Sequence, residues 1–226
     1  MRWAFWRKRS REIQATAPHS PGRRCAVRGS LTTAGVTISK RSVGRALTSH
    51  GEPWKWPAMI RGPLPNAALA VAYFGEDISG PIALVDRALA LNPSFARGWH
   101  ISGILRVYAG EPELAIEHVQ RSLRLSPRAR VGWGSAVIGS ALFLSRRFDE
   151  AVAKLLDAIQ DEPGLPEAYR HLAACYAHMG RLDDARATVA RLLSIAPVVV
   201  PSVIYYHNPE HRELFLSGLR LAAGEE

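Results

Sequence analysis

The chain has 226 residues, of which 47% are hydrophobic, and a formal net charge of +9 at pH 7. The charge is unevenly distributed: residues 1–61 hold 13 Lys or Arg and two acidic residues, whereas residues 62–226 hold 16 Lys or Arg and 18 Asp or Glu. The balance of −2 after residue 61 excludes a strongly basic, nucleic-acid-binding surface as a property of the whole chain.

The cysteines and the apolar segments of the sequence indicate the cellular compartment of the protein. Two distant thiols, Cys25 and Cys175, do not make a disulfide framework, which favours a reducing compartment. The first 30 residues lack the apolar run of a secretory signal, and the longest uncharged stretch, 192–209, is interrupted by Pro197 and Pro201. We therefore predict a cytoplasmic protein without a membrane span.

Residues 1–61 show no sustained hydrophobic periodicity and are rich in Arg, Ser, Gly and Pro, which is typical of a disordered leader. Three origins are compatible with this segment: a misassigned start or shifted reading frame, a linker left from a larger protein, or a basic arm that binds nucleic acid or anionic lipid. Because Trp3, Trp6, Trp54 and Trp56 are not interleaved regularly with the basic residues, nucleic-acid binding is only a minor alternative.

From residue 62 onward the sequence contains an internal repeat. Prolines recur at spacings of 34, 36 and 34 residues, at Pro93, Pro127, Pro163 and Pro197. Twelve residues before the last three prolines stand the alanines Ala115, Ala151 and Ala185. Twelve residues before these alanines stand the small residues Gly103, Gly139 and Ala173. Three landmarks in register predict three full repeats at 94–197, preceded by a partial repeat at 62–93 whose second helix begins at Pro81.

Each repeat is predicted to be an antiparallel helix pair. Small residues such as Gly103 and Ala115 allow two helices to cross closely, and proline ends the second helix. The predicted pairs are 96–109 with 112–125, 130–145 with 148–161, and 166–179 with 182–195. Gly110 and Gly180 occupy interhelical turns, and the turn of the middle repeat has Arg146 in that place.

These residues resemble the tetratricopeptide repeat family, whose pattern is W-x2-L-G-x2-Y, then A-x3-F, then P. The third repeat follows it most closely, with Tyr169, Leu172, Ala173, Tyr176, Ala185, Val189 and Pro197. The first repeat departs from it at Ser102 and Arg106, and in the second repeat Trp133 stands two residues early. The resemblance implies an all-α, right-handed superhelix of antiparallel helix pairs that acts as a protein-interaction scaffold.

A narrower resemblance concerns the C-terminal repeat region of bacterial class III adenylate/guanylate cyclases. It rests on YFGED at 73–77, ALNP at 90–93, AACYAHMGR at 173–181 and NPEHREL at 208–214. In that family a catalytic or winged-helix domain precedes the repeats, and catalysis requires two metal-binding aspartates. Residues 1–61 contain no aspartate, so the resemblance implies only a detached regulatory region, and we predict no enzymatic activity.

No metal site, cofactor or catalytic residue is predicted. His171, Cys175 and His178 share one helix face, but the third lies ~10 Å along the axis from the first, and we expect this face to meet a neighbouring helix. His207 and His211 are four residues apart across a helix start. Cys175 has no evident cationic activator, and no phosphate-binding loop or nucleophile motif occurs.

Residues 198–226 are predicted to form an extended segment followed by a capping helix. Asn208 is typical of an N-cap and Pro209 of a first helical turn. The apolar stripe that begins at Leu214 and Phe215 can cover the end of the stack, as solenoids require, with Gly224 as a stop.

In this family the first helices of the pairs line the concave face. By position, the groove side chains are Arg97, His100, Ile104 and Val107, then Trp133, Ala136, Ser140 and Phe143, then Glu167, Arg170, Ala174 and Ala177. We expect a peptide or helix partner with apolar anchors and an acidic residue, and no membrane partner. Binding should centre on Arg97, His100, Ile104, Trp133, Ser140, Phe143 and Arg170. The displaced Trp133 alternatively fills the joint between repeats.

Overall fold

The computed structural model describes residues 30–33, 36–39, 77–127, 131–201 and 205–224. Most of the leader at 1–61 lies outside these ranges, so its predicted disorder stays a prediction. Within it, two short strands, β1 (Ser30–Thr33) and β2 (Val36–Ser39), pair in a two-stranded sheet. The sequence does not predict them, because strands of four residues are too short to establish an alternating pattern.

The described part of the chain continues with eight helices. They are α1 (Ser79–Leu91), α2 (Ala96–Ala109), α3 (Pro112–Leu125), α4 (Val131–Leu144), α5 (Phe148–Asp161), α6 (Pro166–His178), α7 (Leu182–Leu193) and α8 (Pro209–Ala223). The three predicted pairs are α2 with α3, α4 with α5, and α6 with α7, and every boundary lies within two residues of its prediction. The helical superhelix of antiparallel pairs is thereby confirmed.

The repeat landmarks are the points where paired helices cross. A Cβ atom on Gly103 would lie 2.5 Å from the Val119 Cγ2 atom and 3.2 Å from the Ala115 carbonyl oxygen. A Cβ on Gly139 would lie 2.7 Å from the Leu155 Cγ atom. Real side chains do not tolerate such distances, so the periodic glycines set the spacing of the helix axes.

The three interhelical turns share one backbone conformation although their residues differ. The φ angle is 87° at Gly110, 75° at Gly180 and 59° at Arg146. The following N–H donates to the carbonyl five residues earlier in each turn: Glu111 to Arg106, Arg147 to Leu142, and Arg181 to Tyr176. The middle repeat therefore makes the same left-handed helix end with a non-glycine residue, at some cost in backbone strain.

The partial repeat contributes α1, which packs on α2 through a small core of Val85, Leu89, Ile101 and Leu105. Helix α1 begins at Ser79, two residues before the predicted start, and the Asp77 carboxylate accepts a hydrogen bond from the Ser79 N–H at 2.9 Å. Pro81 is accommodated because it lies in the first helical turn. The part of the predicted partial repeat that precedes residue 77 lies outside the described residues.

The C-terminal helix α8 has the predicted ends. The Asn208 side chain accepts hydrogen bonds from the Glu210 and His211 N–H groups, and Gly224 closes the helix with a φ of 76°. With 15 residues α8 is the longest described helix, shorter than the ~20 residues that span a bilayer. Among the described helices, none combines the length and the apolar character of a membrane span.

Candidate functional site

The first helix of each pair has one side that faces neither of the two helices packed beside it. In α4, a Cβ on Gly132 would lie 2.9 Å from the nearest side chain of α5, and one on Gly134 would lie 3.1 Å from the nearest side chain of α3. Trp133 lies between these two glycines in sequence and therefore points to the third side of the helix. Ser140, two turns later, lies on that same side. This third side is the concave face.

Arg97, His100 and Ile104 occupy the corresponding side of α2. Gly98 faces Leu89 of α1, and Gly103 faces α3, so the three residues lie on the side between these two contacts. Arg97 is exposed, whereas His100 and Ile104 are partly buried. Burial first, and the neighbouring Arg97 charge second, lower the pKa of His100 to about 4, so this ring is neutral at pH 7.

Trp133 has 41% of its surface exposed and is thus not enclosed in the joint between repeats. Val131, at the start of the same helix, is 43% exposed. An accessible indole is a frequent anchor in protein interfaces, because its large rigid ring is buried at little entropic cost. Trp133 and Arg97 give the concave face an aromatic and a cationic group near the N-terminal ends of α4 and α2, and Ile104 adds an apolar, partly buried side chain in the middle of α2.

Ser140 and Phe143, also predicted to line the groove, are buried. The Ser140 hydroxyl donates to the Ala136 carbonyl of the same helix at 2.9 Å. Phe143 is fully buried in an aromatic cluster, with ring centroids 5.8 Å from Phe148, 5.7 Å from His171 and 6.2 Å from Phe215. Phe215 belongs to α8, so the C-terminal helix covers this part of the concave face.

Arg170 is also covered, at 8% exposure. Its Nη1 donates to the Glu167 carboxylate at 2.7 Å, while Nε and Nη2 donate to the carbonyls of Val199 at 3.1 Å and Val198 at 3.0 Å. The guanidinium group therefore binds the main chain of the segment that follows α7. Its charge is balanced by Glu167.

Two histidines of α6 hold the same C-terminal region. Burial lowers the pKa of His171, and its neutral ring donates through Nδ1 to the Glu167 carbonyl at 2.8 Å and accepts through Nε2 from the Tyr206 hydroxyl at 2.5 Å. Burial raises the pKa of Tyr206, so its hydroxyl remains a donor. His178 Nε2 donates to the Leu214 carbonyl at 2.7 Å. Both residues thus meet the C-terminal region, and the neighbouring helix expected on this face of α6 is α8.

The C-terminal region extends as far as the first full repeat. The His207 N–H donates to the Tyr108 carbonyl of α2 at 2.9 Å, and the Tyr108 ring lies 5.4 Å from the Tyr205 ring. A Cβ on Gly110 would lie 3.0 Å from the Asn208 Cβ atom. We call residues 198–224 the C-terminal tail. It contacts the concave side of α6, α4 and α2, so α8 does more than cover the end of the stack.

The predicted groove thus divides into two parts. Four of the seven central residues, Arg97, His100, Ile104 and Trp133, lie on its N-terminal part, whereas Ser140, Phe143 and Arg170 lie in the part that the tail occupies. Of the other predicted positions, Glu167 is exposed, and four are buried: Val107, Ala136, Ala174 and Ala177.

Tyr108, His171 and His178 contact the tail without having been predicted as groove residues. For the two histidines the signal was their shared face on α6. Tyr108 lies four residues after Ile104, on the same side of α2, and could have been found from that spacing.

The described residues contain no group of three or more His, Cys, Asp or Glu side chains that could hold a metal ion. Cys175 is a buried free thiol, and burial raises its pKa to about 12, so it stays protonated and unreactive at neutral pH. The site offers the Arg170 and His178 hydrogen-bond donors, the Phe143 ring and apolar surface, which are means of binding a polypeptide.

Residues 142–201 match the family model of the tetratricopeptide repeat. The cytochrome c-type biogenesis protein CycH of Rhizobium meliloti (strain 1021) is 27% identical over 203 residues, with 87% of this chain and 50% of CycH covered. The chain thus spans about half the length of this relative. The sequence identity of this chain to CycH is higher than its identity to the two solved structures described next.

Two solved structures of MamA have a similar fold. The MamA RS-1 ArsTM double mutant superposes with a TM-score of 0.56 at 16% identity, covering 69% of this chain and 85% of that one. MamA 41-end from Desulfovibrio magneticus RS-1 gives a TM-score of 0.52 at 18% identity, covering 68% and 84%. At these identities the likeness concerns the fold alone, and it agrees with a tetratricopeptide superhelix.

Proposed function

We propose that this stack of tetratricopeptide repeats is a non-catalytic scaffold that binds a peptide or helix of a partner protein on its concave face. One observation carries the proposal: the concave face already holds a polypeptide segment, the C-terminal tail. Arg170, His178 and Tyr108 hold this segment through its main chain. A surface that recognises main-chain groups and aromatic rings is suited to polypeptide ligands.

The surface that an outside partner reaches first is the N-terminal part of the groove. There Trp133 supplies an exposed aromatic anchor and Arg97 an exposed cationic group. His100 adds no charge at pH 7, since its pKa is about 4. The matching partner segment carries an apolar side chain for Trp133 and an acidic residue for Arg97.

Photo-crosslinking tests this proposal. A photoreactive phenylalanine analogue is placed at position 133 in one chain and, as the matched control, at position 156 in another. Leu156 is 47% exposed but lies on the second helix α5. We expect a partner adduct from position 133 that position 156 does not give. Adducts from position 156 alone, or equal adducts from both, would move the interface away from the concave face.

A second, narrower candidate is that the bound polypeptide belongs to the assembly of c-type cytochromes. The match to CycH, which covers 87% of this chain, favours it. Such cytochromes carry a C-x-x-C-H haem-attachment segment. Titration of a labelled apocytochrome peptide containing that segment should show binding that weakens in the Trp133→Ala chain. Equal binding of a scrambled peptide would reject this candidate.

The other sequence-based hypotheses keep their status as predictions. These are the detached regulatory region of a nucleotide cyclase or winged-helix regulator, nucleic-acid binding by the basic leader at 1–61, and a cytoplasmic location. The first depends on a catalytic or winged-helix domain, and the second on residues that lie mostly outside the described ranges. A buried, protonated Cys175 is compatible with the third.

A further inference from the structure

The C-terminal tail contacts the concave side of all three full repeats. In α6 the Arg170 guanidinium and the His171 and His178 rings hold it, and in α2 the Tyr108 carbonyl accepts from its main chain. In α4 the Phe143 ring packs on it. A segment with these contacts lies where a bound peptide would lie in a repeat groove.

Most polar contacts of the tail use its main chain. Val198, Val199 and Leu214 contribute carbonyl oxygens, and His207 contributes its N–H group. Such contacts can be made by any segment that follows the same path, whatever its side chains.

Two aromatic rings of the tail, Tyr206 and Phe215, contact the His171 ring of α6. Phe215 lies 4.6 Å from the His171 ring and 5.5 Å from the Tyr206 ring, and Tyr206 donates its hydroxyl to His171. Of the three Tyr and Phe residues of the tail, Tyr206 and Phe215 are buried, at 5% and 3% exposure, whereas Tyr205 is partly buried. These two rings therefore help to define which segments fit, together with the buried Leu214, Leu219 and Ala222 of α8.

The fit of the tail is incomplete at one point. His211, in the first turn of α8, has a buried Nδ1 atom without a hydrogen-bond partner in the described part of the chain. An unpaired buried nitrogen weakens the association, because water bound it before burial. In addition, all three helix pairs end before residue 197, so the tail belongs to none of them, although its Tyr206, Leu214, Phe215, Leu219 and Ala222 side chains share their hydrophobic core.

We propose that the tail is an internal ligand of the concave face, and that the partner segment is a competitor built like it. This inference rests on the proposed function. The fitting segment has an aromatic residue at the place of Tyr206, followed by a helix with an aromatic residue at the place of Phe215. A tethered tail has a high effective concentration, so it keeps weaker segments out of the groove.

The test uses the full chain and a fluorescent synthetic peptide of residues 198–224, with binding followed by anisotropy. Phe215→Ala weakens the internal tail, and Leu221→Ala on the same helix is the control, because Leu221 is 45% exposed. We expect the Phe215→Ala chain to bind the peptide at least ~10-fold more tightly than the unaltered and Leu221→Ala chains do. A peptide carrying the Phe215→Ala change should not bind. Equal affinity of all three folded chains would overturn the proposal.

A second measurement needs no variant. Hydrogen exchange in the unaltered chain should show tail amides exchanging at least ~10-fold faster than those in the middle of α6, because the tail opens separately. Equal exchange rates would mean that tail and repeats open only together, which contradicts a displaceable tail.

Different results would reject the proposed function and the proposal that the tail is an internal ligand. A partner whose affinity depends on Trp133 but is the same for the Phe215→Ala and unaltered chains overturns the tail inference and leaves the proposed function. Peptide binding that depends on Phe215, without a Trp133-dependent partner, supports the internal ligand and rejects the N-terminal site.

Discussion

The crossing of α2 and α3 at Gly103 is the point where a single added side chain should destabilise the fold most clearly. Exchanging a mid-helix Gly for Ala ordinarily stabilises a helix by up to ~1 kcal/mol. At Gly103 the new Cβ would lie 2.5 Å from the Val119 Cγ2 atom, and a helical valine has one preferred rotamer. The Ala115 carbonyl oxygen, at 3.2 Å, blocks relaxation on another side. The helices must therefore separate.

We expect Gly103→Leu to lower the free energy of unfolding by ~2–4 kcal/mol through overpacking. For a chain of this size that corresponds to a melting temperature lower by roughly 4–16 °C. Gly103→Ala should have a smaller effect of the same sign, which Val119→Ala partly relieves in the double variant because the two side chains compete for the same space.

Thermal unfolding followed by circular dichroism measures these changes. Gly80→Ala is the matched control, since Gly80 is also helical and a Cβ there meets nothing within 4 Å. The control should melt at or above the temperature of the unaltered chain. A Gly103→Leu chain that melts like the unaltered one would refute the crossing geometry and, with it, the register of the repeats.

Three further predictions concern a turn, a titration and an activity. Arg146→Gly should raise the free energy of unfolding by ~0.5–1 kcal/mol in urea titrations, because the φ of 59° is strained for a side chain; a decrease would show that Arg146 makes a contact worth more than the strain. The pKa of His100, about 4, is below its unfolded value of 6.5, so its neutral form stabilises the fold above pH 6.5, and this stability is lost as the pH falls from 6.5 towards 4. Urea unfolding at pH 7.5 and 5 should show a smaller loss for His100→Gln than for the unaltered chain, and equal losses would contradict the burial of this ring. The purified chain should form no cyclic nucleotide from ATP or GTP with Mg²⁺ or Mn²⁺, and turnover that disappears on mutation of this chain would reject the non-catalytic assignment.

The helix pairs could be predicted from the sequence because their determinants are local and periodic. Gly103, Gly139, Ala115 and Ala151 recur at fixed spacing, and each performs the same task at a helix crossing. The conformation at Arg146 follows from its place in that period, since its neighbours demand the same turn as Gly110.

The path of the tail could not be predicted in the same way, because it follows no period. The sequence indicates a capping helix from Asn208 and an apolar stripe containing Phe215. It does not reveal that Phe215 packs against Phe143, 72 positions earlier, or that Arg170 binds the Val198 and Val199 carbonyls. Main-chain acceptors are present at every residue, so they leave no signal in the sequence.

The most direct test of polypeptide binding on the concave face is the affinity of a crosslinked partner for the Trp133→Ala chain, measured together with the melting temperature. Arg97→Ala is the second variant, and Leu156→Ala is the control on α5. We predict that Trp133→Ala weakens binding at least ~10-fold, a loss of about 1.4 kcal/mol or more, with an unchanged melting temperature. Affinities that are the same for Trp133→Ala, Arg97→Ala and Leu156→Ala would contradict the assignment of this face as the binding site.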